Sequence, residues 1–176
     1  MRNDPLNLVD PTGNAPNKED ATDYRYVASQ MEEGGLAPLR QEDREIGRYF
    51  QTETYGWVDV RHFSEAAAAV LIDGLPPAVV LAGGVAVELE QTLMEGPNDY
   101  SSAFSPEDLP SNQAGVDFAE FVNNGGPGAP LSESFERWAR AEGAAQFGDQ
   151  TFEDAFDALP EDDPSKHPGT SALTHR

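Results

Sequence analysis

The sequence predicts a mainly α protein: a single compact helical domain of about five to seven helices with flexible ends. Three observations lead to this prediction. Apolar residues recur at three- and four-residue spacing in several segments, as on the buried face of a helix. Residues that begin and end helices, namely hydroxyl caps, glycines and prolines, separate these segments. No useful length of chain alternates apolar and polar residues as a half-buried strand does.

Each predicted helix combines an apolar face with a start or stop residue. Gly34 and Gly35 end the first helix, and Pro76 and Pro77 open a long apolar one. Pro110 is expected to interrupt a turn, so that a new helix begins just after it. The segments predicted to be helical are residues 23–33, 39–50, 65–73, 77–95, 111–122, a helix beginning after 132, and 151–159.

The start of the third helix has two interpretations. Ser64 can cap a helix over residues 65–73. Alternatively, the helix begins at Asp59, which places Asp59 and His62 in its first turn. Only in the second interpretation does the helix fix the Asp59 carboxylate and the His62 imidazole relative to each other.

Composition bounds the class of protein. The 176 residues suffice to bury a core, and the absence of cysteine excludes disulfides, thiolate nucleophiles and zinc–thiolate sites. The net charge of −21 repels phosphate backbones, so no high-affinity binding of free nucleic acid is expected. The polar first residues predict no secretory signal peptide. The longest apolar run, residues 78–89, is too short to span a bilayer.

Residues 4–14, with the sequence DPLNLVDPTGN, form two X-Pro turns around an apolar piece that is too short to bury itself. This string resembles the segment that closes the Rhs/YD-repeat core of bacterial polymorphic toxins. In that family a β-cage ends in an Asp-Pro-x-Gly motif, where self-cleavage releases a variable C-terminal toxin domain. Asp10 to Gly13 match the motif, whereas Asn14 stands where the family often has leucine.

The resemblance implies a division of the chain and a set of partners. Residues 1–14 would be a remnant of the Rhs core boundary, 15–22 a linker, 23–159 the helical toxin domain, and 160–176 a disordered acidic tail. The implied protein is secreted and delivered into a target bacterial cell. Its implied partners are the Rhs cage before release and a cognate immunity protein afterwards.

His62 is the leading candidate for a catalytic residue. It is the only histidine outside the C-terminal tail, and histidine is the usual general base or metal ligand near neutral pH. Asp59, three residues earlier, would share a helix face with it and orient the ring. The structural alternatives are a His62 bonded in the core beside Trp57 and Phe63, and an Asp59 that caps a helix or pairs with Arg61.

Two further polar groups are candidates for the same site. Glu88 and Gln91 share one face of the predicted long helix and are predicted to bind substrate, unless they form a solvated helix end. Residues 105–112 form the densest polar cluster, whose oxygens suit a divalent metal or a hydrolytic water, although the same residues suit helix capping. In this cluster Glu107 and Asp108 are predicted as acid or metal ligands, and Ser105 and Asn112 as substrate-binding residues.

The resemblance implies an antibacterial effector, and the polar residues predict that it hydrolyses its substrate in a cleft where three helix ends meet. The sequence identifies neither the substrate nor the cofactor. The candidate cofactor is a divalent metal ion. One alternative is a non-enzymatic pore-forming toxin that makes transient membrane contact through residues 76–93. Others are a metal-dependent nuclease toxin and a binding module that occupies an essential target.

Overall fold

A computed structural model describes residues 18, 20–40, 47–83, 108–125 and 128–159 of the chain. Within these ranges a 3-10 turn, Pro38–Arg40, and two short strands accompany six α-helices. The strands are β1, Tyr49–Thr52, and β2, Gly56–Asp59. The helices are α1, Tyr24–Gly34; α2, Val60–Leu71; α3, covering residues 77–83; α4, Asp108–Asn124; α5, Leu131–Ala141; and α6, Gln150–Asp157.

The mainly α prediction is confirmed, and most helices begin where the sequence places them. Helix α1 begins after Asp23, whose carboxylate accepts the backbone N–H of Arg25. Helix α2 begins at Val60 rather than after Ser64, so Asp59 caps it and His62 lies in its first turn. The predicted boundary segment, half of the linker, the second half of the long helix and the acidic tail lie outside the described residues.

The helix predicted over residues 39–50 is wrong. Its first part forms the 3-10 turn, and its last two residues begin β1, which pairs with β2 as an antiparallel hairpin with Phe50 opposite Val58. Residues 41–46 lie outside the described residues. Tyr49 and Phe50 are both buried, because both faces of β1 are covered by other parts of the chain. The strand therefore lacks the apolar–polar alternation that would have identified it.

Pro110 does not divide its helix, contrary to the sequence prediction. It is the third residue of α4, which runs without interruption from Asp108 to Asn124. The first backbone N–H groups of a helix have no partner inside the helix, so a proline costs little there. One long helix thus replaces the turn and restarted helix that were expected.

Residues that precede α1 take part in the fold. The N–H of Thr22 donates to the carbonyl oxygen of Tyr49 at 2.7 Å, and the N–H of Tyr49 donates to the carbonyl oxygen of Asp20 at 2.9 Å. These bonds attach the chain to the outer edge of β1. The C-terminal end of the predicted linker is therefore packed against the hairpin.

The core is built around a cluster of five aromatic rings. These rings meet in edge-to-face, tilted or stacked pairs, with centroids 5.4–5.9 Å apart. They belong to Phe50, Phe63, Phe118, Phe135 and Trp138. They come from β1, α2, α4 and α5, so they connect elements that are distant in sequence. Edge-to-face aromatic pairs contribute about 0.5–1.5 kcal/mol each beyond the area that they bury.

Helices α2 and α4 pack closely through small residues. A Cβ atom added at Gly115 would lie 2.2 Å from the carbonyl oxygen of Phe63, so no other residue fits at this crossing. The facing positions include Ala66 and Ala114, both buried. This close approach brings Phe63 and Phe118 together, with their rings stacked at 5.4 Å.

Asp23 connects α1 to the loop before α6. Its carboxylate accepts the Nη2 of Arg25 at 2.6 Å and the backbone N–H of Phe147 at 3.0 Å. Burial acts to raise the pKa of Asp23, but the hydrogen bonds from Arg25 and from the Phe147 N–H outweigh it and hold that pKa below its ordinary value. The native state therefore binds fewer protons at this group than the unfolded state does.

We expect Asp23→Ala to lower the free energy of unfolding at neutral pH by about 1–3 kcal/mol, for a lost cap and lost charged hydrogen bonds. Because the native pKa is depressed, this contribution is complete above the unfolded pKa and disappears as pH falls through the native one, from about pH 5 downward. Urea unfolding curves from pH 7 to pH 2 should thus converge for the two proteins. Asp73→Ala, at an exposed position, is the control, and a constant gap between Asp23→Ala and the parent across this range would contradict the assignment.

Candidate functional site

Asp59 lies where β2 ends and α2 begins, and its side chain is completely buried. Its backbone is extended, with φ −67° and ψ 118°, the conformation of a residue that caps a helix. Its Oδ1 accepts the backbone N–H groups of Arg61 at 2.7 Å and of His62 at 3.1 Å. The carboxylate thus satisfies two of the N–H groups that the first turn of α2 leaves without helical partners.

The other carboxylate oxygen of Asp59 binds Arg48. The Nε of Arg48 donates to Oδ2 at 2.5 Å, and its guanidinium also lies over the ring of Tyr49, 5.1 Å from the centroid. The carbonyl oxygen of Arg48 accepts the N–H of Val60. A fully buried carboxylate needs such a counter-charge, because burying it unpaired would be costly.

Ser111 of α4 completes this arrangement. Its Oγ accepts the backbone N–H of Asp59 at 2.8 Å, and both residues are fully buried. The first turn of α2 and the first turns of α4 therefore meet at Asp59. We refer to Arg48, Asp59 and Ser111 as the Asp59 junction. The sequence analysis predicted one polar cleft where three helix ends meet. Asp59 and Ser111, which belong to two of these regions, are joined by a buried hydrogen bond, and the cleft itself stays a prediction.

His62 is half-buried in the first turn of α2. Its backbone N–H donates to Oδ1 of Asp59 at 3.1 Å. Asp59 therefore fixes the position of the His62 backbone, and the hydrogen bonds on both carboxylate oxygens identify Asp59 as a capping and pairing residue. This is the structural alternative that the sequence offered, except that Arg48 is the ion-pair partner and Arg61 pairs with Glu65 at 3.0 Å.

The remaining predicted site residues are only partly within the described chain. Glu88, Gln91, Ser105 and Glu107 lie outside the described residues. Asp108 is the first residue of α4, and its side chain is also outside them. Asn112 follows Ser111 in α4 and is half-buried.

A second polar cluster, which the sequence analysis missed, joins the hairpin to α4. The Tyr55 hydroxyl donates to Oδ2 of Asp117 at 2.7 Å, and Nε2 of Gln113 donates to Oδ1 at 2.8 Å. Burial, followed by the hydrogen bond to Asp117 and its negative charge, raises the pKa of Tyr55 well above its ordinary value. Tyr55 is thus a protonated hydrogen-bond donor, and its ring stacks on Trp138 at 6.0 Å.

No group of three or more acidic or histidine side chains among the described residues is placed to hold a metal ion. Nor does any helix in that part of the chain have the length and apolar character needed to cross a membrane. The contribution of Glu107 and Asp108 to a metal site stays a prediction.

The chain matches no protein-family model, no curated protein and no solved structure.

We expect Asp59→Ala to lower the free energy of unfolding by about 2–4 kcal/mol, since it removes a helix cap and a charge-assisted hydrogen bond. Glu65→Ala, in the same helix, is the matched control. It removes an exposed carboxylate that pairs with Arg61 one turn away, which is worth only about 0.3–0.5 kcal/mol. Urea unfolding of both variants measures the difference, and equal losses would show that Asp59 is an ordinary surface carboxylate in solution.

Proposed function

We propose that this chain is the toxin domain of an Rhs-type polymorphic toxin, delivered by one bacterium into a competitor. One observation carries the proposal: the Asp-Pro-Thr-Gly motif at residues 10–13 precedes a folded domain whose buried packing begins at Thr22. A boundary motif followed within about ten residues by an independent core is the order expected of a domain released by cleavage. The Rhs cage would hold this domain before release.

A cognate immunity protein is the partner that this proposal requires. The net charge of −21 suits a partner with a basic surface, because complementary charge accelerates association. The same charge disfavours free nucleic acid as the target. The site of action is a cell other than the producer, where no immunity protein is present.

We propose hydrolysis as the mechanism, with His62 as the general base. Its place in the first turn of α2 is fixed by the hydrogen bond from its N–H to Asp59, and α2 is anchored by Arg48 and Ser111. A base held on a rigid element can be positioned against a substrate with the precision that catalysis needs. Asp59 acts here as a positioning residue, and Glu107 or Asp108 would supply the acid or the metal ligand.

Membrane permeabilisation is the second candidate, and one structural observation favours it. Large apolar side chains are exposed where α2 ends and α3 begins: Ile72 is 69 % exposed, Leu75 42 % and Val79 53 %. Val79 lies within residues 76–93, the segment that the sequence analysis singled out for membrane contact, and Ile72 and Leu75 lie just before it. A contiguous exposed apolar patch can mark a surface that binds lipid or protein.

Expression of the full chain in a bacterium tests the proposal. Growth should slow when the chain is directed to the cytoplasm or to the periplasm, and co-expression of the small protein encoded next to it should restore growth. Normal growth with the folded protein present in both compartments would rule out the toxin proposal.

Variants in the same assay separate the two mechanisms. A base is needed in every turnover, so His62→Gln should lower toxicity by at least about a hundredfold while leaving the melting temperature near that of the parent. His167→Gln makes the same chemical change outside the predicted domain and serves as the control. If His62→Gln kills at the full rate whereas Val79→Asn does not, and the parent depolarises cells, then permeabilisation is the mechanism.

A further inference from the structure

Helix α6 is seated on the hairpin by one buried side chain, Phe152. This residue is 1 % exposed and is the buried residue of an eight-residue helix. Its ring meets the ring of Trp57 in β2 at 5.9 Å and the ring of Phe147, in the loop before α6, at 4.7 Å. Phe156 stacks on Phe152 within α6 at 5.8 Å. In the described parts of the chain, these rings form a group apart from the five rings of the core.

A second contact of α6 involves charged groups near the surface. Lys18 lies over the ring of Phe156, 5.4 Å from the centroid, and its Nζ is 3.9 Å from Oδ1 of Asp157, whose side chain is 78 % exposed. Ion pairs at such positions contribute little. No other helix or strand that the structure describes runs alongside α6. Because a helix of eight residues is not stable in water by itself, α6 depends on how firmly Phe152 is seated.

The chain is anchored just before α6 and can turn at the next residue. The N–H of Phe147 donates to the carboxylate of Asp23 at 3.0 Å, which ties the loop to the start of α1. Gly148 follows with φ +88°, and a Cβ atom added there would meet nothing within 4 Å. Glycine can leave this left-handed conformation for others at little cost, so Gly148 is suited to act as a hinge. The hydrogen bond from its N–H to Glu153 stays close to that hinge.

The hairpin face to which α6 is attached also carries a buried oxygen without a partner. Phe50 points into the five-ring core, so Gln51 points to the other face of β1, as does Trp57, its partner across the hairpin. Nε2 of Gln51 donates to the carbonyl oxygen of Thr52 at 2.9 Å, which fixes the orientation of the amide. Its Oε1 is buried and accepts no hydrogen bond from the residues that the structure describes. Burying such an oxygen costs free energy, which is recovered when water reaches it.

We propose that α6 is a detachable cover: residues 149–159 separate from Trp57 by turning at Gly148, while the five-ring core stays folded. Opening breaks the ring contacts that Phe152 makes with Trp57 and Phe147, and it lets water reach the Gln51 amide. It also uncovers the outer face of β2, on which Trp57 lies two residues before Asp59. The cover therefore controls how much of Trp57 is exposed to solvent or to another molecule. The inference does not depend on the toxin proposal.

Amide hydrogen exchange in the full chain, at denaturant concentrations below the unfolding transition, tests the cover. We expect the Glu153 and Phe156 amides to exchange together, at least about a hundredfold faster than the Phe118 amide of the core. Their dependence on denaturant should be smaller, because opening exposes less surface than unfolding does. One common rate and denaturant dependence for all three amides would overturn the proposal. So would α6 amides that show no denaturant dependence, since this marks fraying of a helix end.

A core variant separates opening from unfolding. Val116 is buried in α4, which is folded whether α6 is closed or open. Val116→Ala should therefore speed exchange of the Phe118 amide by about tenfold or more and leave the exchange of the Glu153 amide unchanged. Equal acceleration of both amides would show that α6 opens only when the whole domain unfolds, which contradicts the proposal.

Two variants of α6 identify the side chain that seats it. Phe152→Ala and Phe156→Ala each remove one ring and introduce the best helix former, so a lower helix propensity cannot explain faster exchange. Phe152→Ala also removes the contact with Trp57. It should speed exchange of the Glu153 amide by at least about tenfold more than Phe156→Ala does. Equal effects of the two variants would show that Phe152 is not the seat.

Gln51→Met tests the buried oxygen, because methionine is of similar length and places no amide oxygen in the closed state. We expect the Glu153 and Phe156 amides to exchange about tenfold more slowly or less readily still, since the closed state no longer contains an unpaired acceptor. Gln30→Met makes the same change at a half-buried position of α1, which is folded in both states, and should leave these amides unchanged. Unchanged or faster exchange in Gln51→Met would overturn the role assigned to Gln51.

Discussion

The buried carboxylate of Asp59 is the interaction on which the arrangement of this domain depends. Its two oxygens bind Arg48 and the first N–H groups of α2, while its own N–H is held by Ser111 of α4. A buried carboxylate is tolerated only when charge and hydrogen bonds compensate it, so these partners must stay in place together. The start of β1, the start of α2 and the first turns of α4 are thereby fixed relative to one another. His62, in the first turn of α2, takes its place from the same constraint.

The aromatic core extends from this junction. Phe63 follows Asp59 by one turn of α2 and meets Phe118 of α4, because Gly115 allows the two helices to touch. The polar junction thus sets the direction of α2 and α4, and the close contact at Gly115 sets their separation. Phe135 and Trp138 of α5 then pack onto the ring pair that results.

Local features explain what the sequence predicted and what it did not. Helices α1 and α6 were recognised because their caps and apolar spacing lie within a few residues. The hairpin was missed because each strand has four residues and β1 is buried on both faces. Because aspartate is a preferred helix cap, the sequence already offered capping as a role for Asp59. Its partners Arg48 and Ser111 could not be predicted, because they lie 11 and 52 residues away in sequence and only the fold brings them to Asp59.

Amide hydrogen exchange in the full chain tests the Asp59 junction most directly. The Asp59 N–H donates to Ser111 and the His62 N–H donates to Asp59. If the junction holds the domain together, both amides exchange only through global unfolding, at the same free energy as the Phe63 amide in the core. Ser111→Ala should then weaken the protection of both. The central role of Asp59 would be contradicted if the Asp59 and His62 amides exchanged as fast as exposed loop amides while the Phe63 amide stayed protected.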